Sequence, residues 1–279
     1  VGVSYTLPPR AQLADDEASA FVSAAAAKAI RALMNPLVLI PARLAATRLP
    51  GKPLLDIGGQ SLIERVLGRA LEAGVGPVAV AAGDAEIVRR IEARGGRAVL
   101  TDPALPSGSD RVRAALQILD PEGRFDVVIN LQGDIPFFDG ALLAQTTALL
   151  GRRSSCDIAT AATPETDPGE RDNPDLPKAV LALEPDARSG RALYFTRSRL
   201  FGEGPVLRHI GVYAYRRAAL ERFTSAPPSP LERREKLEQL RALELGLEIW
   251  CAVVEEAPVE VNTPADLAAA RLVAAGGRA

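Results

Sequence analysis

From Leu37 onward, short apolar runs alternate with segments whose apolar residues recur every three or four positions, and this alternation constrains the fold more than any other feature. Strands separated by crossover helices build a mostly parallel sheet with helices on its faces, so the expected class is α/β. Leu37-Val-Leu-Ile40 and Pro77-Val-Ala-Val-Ala81 read as strands, as do residues 97–101, 157–162, 178–183, 192–196, 208–215 and 248–254. Phe125-Asp-Val-Val-Ile-Asn-Leu131 is the strongest strand, and its Val and Ile content suits burial on both faces in mid-sheet. Ser61 with Glu64 forms the reciprocal N-terminal capping pattern, followed by Leu62, Val66, Leu67, Ala70 and Leu71 at helical spacing. Further helices are expected at 84–94, 109–119, 142–150 and, as one long amphipathic element, 231–245; Thr263-Pro264 with Asp266 opens the last.

The 279 residues suffice for one large α/β domain, and 47% hydrophobic with 24% charged residues is an ordinary globular composition. A formal net charge of −2 argues against broad nucleic-acid binding, leaving room for a local phosphate site. No stretch reaches the roughly 20 apolar residues of a membrane span. Cys156, Cys251 and the single His209 cannot assemble a structural zinc set, and the cysteines read as buried small hydrophobes of a reducing, cytoplasmic compartment. Residues 1–33 differ in character: Asp15-Asp16-Glu17 leads into an Ala-rich helical run, without the basic start of an export signal. They are expected to be an extension outside a catalytic domain of residues 34–279, the alternative being a helix that packs on that domain.

Three loops carry the chemistry. Pro41 to Pro53 places Arg43, Arg48 and Lys52 after the first strand, where open α/β sheets bind ligands, and fixed cations there suit a polyphosphate. The loop lacks the Walker glycine pattern, and no GxGxxG occurs, so a P-loop kinase and a dinucleotide oxidoreductase are set aside. Ser107-Gly-Ser-Asp-Arg111 begins a helix; its residues suit either a cap or a polar ligand. Gln132-Gly-Asp134 follows the strongest strand, where Asp134 is a candidate Mg²⁺ ligand or a turn residue. Strand alternation puts His209, Gly211, Tyr213 and Tyr215 on one side and Arg208, Ile210, Val212 and Ala214 on the other.

Together, Ile40-Pro-Ala-Arg43, Thr47-Arg-Leu-Pro-Gly-Lys-Pro-Leu54, Ser107-Gly-Ser-Asp-Arg111, Asn130-Leu-Gln-Gly-Asp134, Ala192-Leu-Tyr-Phe-Thr-Arg197, residues 208–216, 237–241 and Asn262-Thr-Pro-Ala-Asp-Leu267 resemble the 3-deoxy-manno-octulosonate (Kdo) cytidylyltransferases. The resemblance runs from Met34 almost to the C-terminus. It implies a Rossmann-like, GT-A-like nucleotidyltransferase fold with a small dimerisation and sugar-binding subregion. It also implies a Mg²⁺-dependent reaction of CTP with Kdo to CMP-Kdo and pyrophosphate, for lipopolysaccharide synthesis, by a cytoplasmic homodimer.

By position, the resemblance gives Arg43, Arg48 and Lys52 to the triphosphate, with Lys52 nearest the developing charge. Ser107, Asp110 and Arg111 fall in the cytidine loop, Gln132 between nucleotide and sugar, and Arg197, His209, Tyr213, Glu238 and Gln239 in the Kdo pocket. Asp134 and Asn262 fall at the metal. Asn262 stands where this family usually has aspartate, so weaker metal binding is expected, with Glu260 on the same strand face as a compensating charge. Ile135 and Pro106 also depart from the family pattern. The rival readings are a cytidylyltransferase for another acid sugar and a catalytically weakened binding relative.

Overall fold

The computed structural model describes residues 16–45, 49–201 and 206–276. In chain order the elements begin with α1 (Asp16–Leu33), β1 (Pro36–Ala42), β2 (Asp56–Ile57), β3 (Gln60–Ser61), α2 (Leu62–Ala73) and β4 (Val78–Ala82). Next come α3 (Ala85–Glu92), β5 (Ala98–Leu100), α4 (Gly108–Leu119), β6 (Val127–Leu131) and α5 (Ala141–Arg152). The second half adds β7 (Ile158–Glu165), α6 (Pro168–Arg171), β8 (Lys178–Leu183), β9 (Ser189–Thr196), β10 (Val206–Arg216) and α7 (Arg217–Ser225). It ends with α8 (Pro230–Glu235), α9 (Gln239–Glu244), β11 (Ile249–Val253) and α10 (Pro264–Ala274).

Nine strands form one sheet in the order β5-β4-β1-β6-β10-β7-β11-β9-β8, with β2 and β3 pairing separately. The expected parallel sheet occupies β5-β4-β1-β6. The other half is mixed: β10 runs antiparallel to β6 and β7, β9 antiparallel to β8 and β11, while β11 and β7 are parallel. Among the described residues no helix separates β8, β9 and β10, and antiparallel pairing needs no long crossover. The start of β10 also pairs with β8, closing a ring of five paired strands.

Alternation along the strands feeds two cores. Val38 and Ile40 of β1 pack with α1, α2, α3, α5 and α10, while Leu37 and Leu39 pack with α4, α7 and α9 on the other face. Every residue of β6 is buried, as its Val-Ile run requires of a strand in mid-sheet. The Ser61 N–H and hydroxyl both donate to Glu64 Oε2, at 2.6 and 2.7 Å, and Glu64 also pairs with Arg90 and Arg94. That carboxylate therefore caps α2 and ties it to α3.

The single helix expected over 231–245 is two helices. Lys236 lies in the left-handed region (φ 56°) and ends α8, and α9 starts afresh three residues later. Helical spacing continues through 237–245, which is why periodicity alone reads straight across the break. α1 lies against α5 and α2, with Ala27 and Ile30 buried in the first core.

Candidate active site

β1 and β6 are parallel neighbours. The chain leaves β1 toward β4 on one side and leaves β6 through α5 toward β7 on the other. Loops that diverge from the carboxyl ends of adjacent strands leave a crevice, the usual ligand position in an open α/β sheet. Here it is a cleft of about 370 Å³ whose lining includes Arg43, Lys52, Ser107, Arg111, Gln132, Asp134 and Asn262. From Arg43 to Asn262 these residues span more than 200 positions of the sequence, and all were singled out from it.

Glycine makes the approach of the walls possible. A Cβ on Gly133 would lie 2.9 Å from the Pro41 carbonyl oxygen, and one on Gly83 would lie 2.8 Å from an Arg111 Nη1 and 3.1 Å from Arg43 Cβ. The loop after β1 is pinned by the Leu44 N–H donating to Asp84 Oδ2 at 2.8 Å. Asp84 stands at the N-cap of α3 as expected, yet its side chain serves this loop. Arg48 lies outside the described residues.

Asn262 reaches the cleft because the segment before α10 bonds to the loop after β6. Val261 N–H donates to the Asp134 carbonyl at 2.9 Å, and Val259 N–H to that of Phe137 at 3.0 Å. Asp266 Oδ2 accepts the N–H groups of Asn262 and Thr263, each at 2.8 Å, so the cap of α10 also fixes the Asn262 backbone. Lys52 Nζ then donates to Asp134 Oδ2 at 3.0 Å and to Asn262 Oδ1 at 3.2 Å. Asn262 Nδ2 donates to Glu260 Oε2 at 3.3 Å, and Arg208 pairs with Glu260 at 3.3 Å. Burial raises the Glu260 carboxyl, Arg208 pulls it back down, and the Asp134 charge raises it further.

Arg111 is buried, donating to Thr101 Oγ1 at 2.6 Å and to the Asp102 carbonyl at 3.1 Å. Its pKa is lowered first by burial and then by the nearby Arg43 cation, an arrangement that favours an anion beside them. Ser107 caps α4: its Oγ accepts from the Asp110 N–H at 3.2 Å and donates to Asp110 Oδ2 at 2.8 Å. Asp110 is thus engaged in starting the helix. Ile135 is buried in the core, while Pro106 is exposed on the loop before α4.

A second cluster adjoins the cleft through Gln132 and Ser109. Gln132 Cγ would lie 3.1 Å from a Cβ on Gly211, which sits between His209 and Tyr213 on β10. Ser109 Oγ donates to Glu238 Oε2 at 2.8 Å, and Tyr213 Oη donates to Gln239 Oε1 at 3.3 Å. The His209 and Tyr213 rings lie 5.5 Å apart. Burial raises both the Glu238 carboxyl and the Tyr213 phenol. Among the described residues, Asn130 Nδ2 and Gln239 Nε2 are buried donors without a partner, an unmet polar demand beside this cluster.

His209 is held neutral, its pKa pushed down to about 3 by burial. Thr160 Oγ1 donates its one proton to the Val212 carbonyl at 2.7 Å, so it accepts from His209 Nε2–H at 2.9 Å, leaving Nδ1 bare. Arg197 follows β9, and its guanidinium donates to the carbonyls of Pro174 and Asp175 at 3.2 and 3.0 Å. It is therefore tied to the loop before β8. Lys178, which the sequence shows only as the first residue of a strand, is buried and donates to the carbonyls of Asn173 and Arg197 at 2.5 and 3.2 Å. Thr160 and the Arg208–Glu260 pair were likewise missed; a lone lysine opening an apolar strand is the one signal that could have been read.

Cys156 and Cys251 are buried and free, as composition suggested, and burial pushes the Cys156 thiol up to about 12.

The cytidylyltransferase family matches residues 37–249 of the chain. The 3-deoxy-manno-octulosonate cytidylyltransferase of Methylobacterium radiotolerans is 56% identical over 247 residues, covering 88% of this chain and 99% of that protein. Its counterpart in Rhodospirillum centenum is 56% identical over 238 residues, covering 85% and 92%. Among solved structures, CMP:2-keto-3-deoxy-manno-octonic acid synthetase complexed with CTP superposes with a TM-score of 0.78 at 35% identity, over 87% of this chain and 99% of that one. The 4-diphosphocytidyl-2C-methyl-D-erythritol synthase of Anaerococcus prevotii shares the fold, with a TM-score of 0.58 at 15% identity over 86% and 98% of the two chains. With its cleft, its order of motifs and these relatives taken together, the chain belongs to the 3-deoxy-manno-octulosonate cytidylyltransferase family.

Proposed function

We propose that this chain joins CTP to Kdo, giving CMP-Kdo and pyrophosphate. The observation that carries the reading is the meeting of Lys52, Asp134 and Asn262 at the mouth of adjacent parallel strands, in a chain of this family. The anomeric hydroxyl oxygen bonds to the α-phosphorus as the bond from that phosphorus to the bridging oxygen breaks; the electron pair departs on pyrophosphate and the hydroxyl proton passes to solvent. Such a displacement depends on positioning and charge stabilisation rather than a protein nucleophile.

Arg43, Arg48 and Lys52 hold the triphosphate, with Lys52 beside the charge that builds on the leaving group. Ser107, Asp110 and Arg111 frame the cytidine. Gln132 stands between nucleotide and sugar. Arg197, His209, Tyr213, Glu238 and Gln239 bound the sugar. His209, neutral with a bare Nδ1, acts as a hydrogen-bond acceptor and an apolar wall.

The residues present fit Mg²⁺. Asp134 and Asn262 offer two hard oxygens that already converge on a cation, the Lys52 ammonium. Among the described residues no group of three or more His, Cys, Asp or Glu could hold a metal by itself, which agrees with an ion completed by phosphate and water oxygens. When bound, Mg²⁺ would neutralise charge on the phosphates.

The same reading makes the protein a cytoplasmic homodimer supplying lipopolysaccharide synthesis. In the described residues no helix is long and apolar enough to cross a membrane. Sedimentation at micromolar concentration tests the dimer. Pyrophosphate release tests the reaction, with CTP, Mg²⁺ and Kdo together, with each omitted, with UTP for CTP and with N-acetylneuraminate for Kdo. Release that requires CTP and Kdo together is expected. Turnover only with another acid sugar, or none with any pair, would overturn the reading.

A further inference from the structure

Asn262 supplies an amide, not a carboxylate, to the cation position, and an amide has only one oxygen. Turned by half a revolution it would present an NH₂ group, which repels a cation. The structure shows what decides between the two orientations. On one side stands Lys52 Nζ, which only donates, 3.2 Å from Oδ1. On the other stands the Glu260 carboxylate, which accepts from Nδ2 at 3.3 Å. Glu260 is in turn held by Arg208 at 3.3 Å, and both side chains are largely buried. The backbone of Asn262 is fixed independently by Asp266.

We propose that Glu260 is a positioning residue that locks the Asn262 amide with its oxygen toward the cation held with Asp134. Arg208 holds Glu260 in place without contacting the cation. This inference rests on the cation-assisted reading of the site given above.

An orientation lock has a signature that a structural or purely electrostatic role lacks. A carboxylate in place of the amide presents oxygen whichever way it turns, so the need for Glu260 disappears in Asn262→Asp. The test is a double-mutant cycle on the full chain with Glu260→Ala, which removes the acceptor, Asn262→Asp and the combined variant. The readouts are Mn²⁺ affinity in the presence of CTP and absence of Kdo, followed by electron paramagnetic resonance, with melting temperature alongside. Glu260→Ala in the otherwise wild-type chain is expected to weaken Mn²⁺ binding about 10- to 100-fold, the usual effect of losing a residue that orients a metal ligand. Added to Asn262→Asp, the same change is expected to leave affinity essentially unchanged, because a carboxylate presents oxygen in either orientation.

Equal losses in both backgrounds, or no loss in either, would overturn the proposal. A loss accompanied by an equal fall in melting temperature in both backgrounds would also overturn it, by showing a structural role. Wild-type turnover of CTP and Kdo, measured in parallel, separates failure of the lock from failure of the proposed reaction.

Discussion

His209 shows how much a single residue's meaning depends on what packs around it. The sequence marks it by its position on the polar, aromatic side of a strand, and that side does border the Gln132 cluster. Its burial and its partner Thr160, 49 positions away, were not legible, because no local pattern announces a contact across strands. Burial holds its pKa at about 3, against about 6.5 when unfolded. Between these values the unfolded chain binds a proton that the folded chain excludes, so this residue lowers stability as pH falls from 6.5 toward 3. His209→Gln is expected to shrink the loss of unfolding free energy between pH 7 and pH 5 by about 2 kcal/mol, read from urea midpoints. An unchanged pH dependence would show that the ring is charged in the fold. The site loops read well for the opposite reason: Arg43, Lys52, Gln132 and Asp134 each follow directly on a strand or glycine turn. The loop carbonyls of Pro174 and Asp175 that take up the Arg197 guanidinium were not legible, because that contact too is tertiary.

Elements whose ends carry their own chemistry were readable, and those ended by backbone conformation were not. Ser61 with Glu64 and Thr263 with Asp266 form the caps their spacing implies. Lys236 ends α8 in a conformation that a sequence favours visibly only when glycine occupies it. Lys236→Gly removes the left-handed strain of a side chain there and is expected to raise stability by about 1 kcal/mol in urea unfolding. A loss would mean that the lysine side chain contributes more than its backbone costs. The Ala-rich helix α1 poses a second question at this scale, because it looks too weakly apolar to dock. Yet Ile30 is only 4% exposed, sealed in the core shared with α5. Ile30→Ala is expected to cost about 2 to 4 kcal/mol by the same measurement. A change below about 0.5 kcal/mol would make α1 an appendage rather than part of the domain.

For the molecule as a whole, the alternation of strands and helices gave away the parallel half of the sheet and hence the position of the cleft. The antiparallel half was less legible: the chain between 163 and 200 is rich in Pro, Asp and Glu, and its strands pair by tertiary contact rather than by periodic signal. The order of strands, with β10 inserted between β6 and β7, is a property of the whole sheet that no segment encodes. Asp134 and Asn262, 128 positions apart, meet at the same ammonium because the segment before α10 bonds back across the sheet to the loop after β6.

In the proposed reaction this meeting point is the reacting centre. The most direct test is the rate of pyrophosphate release against Mg²⁺ concentration for the wild type and for Asp134→Asn, with CTP and Kdo saturating. Saturable dependence is expected in the wild type, with a fall of about 100-fold or more in the variant and its melting temperature retained. Turnover by Asp134→Asn at the wild-type rate and Mg²⁺ dependence would contradict that placement of the reacting centre.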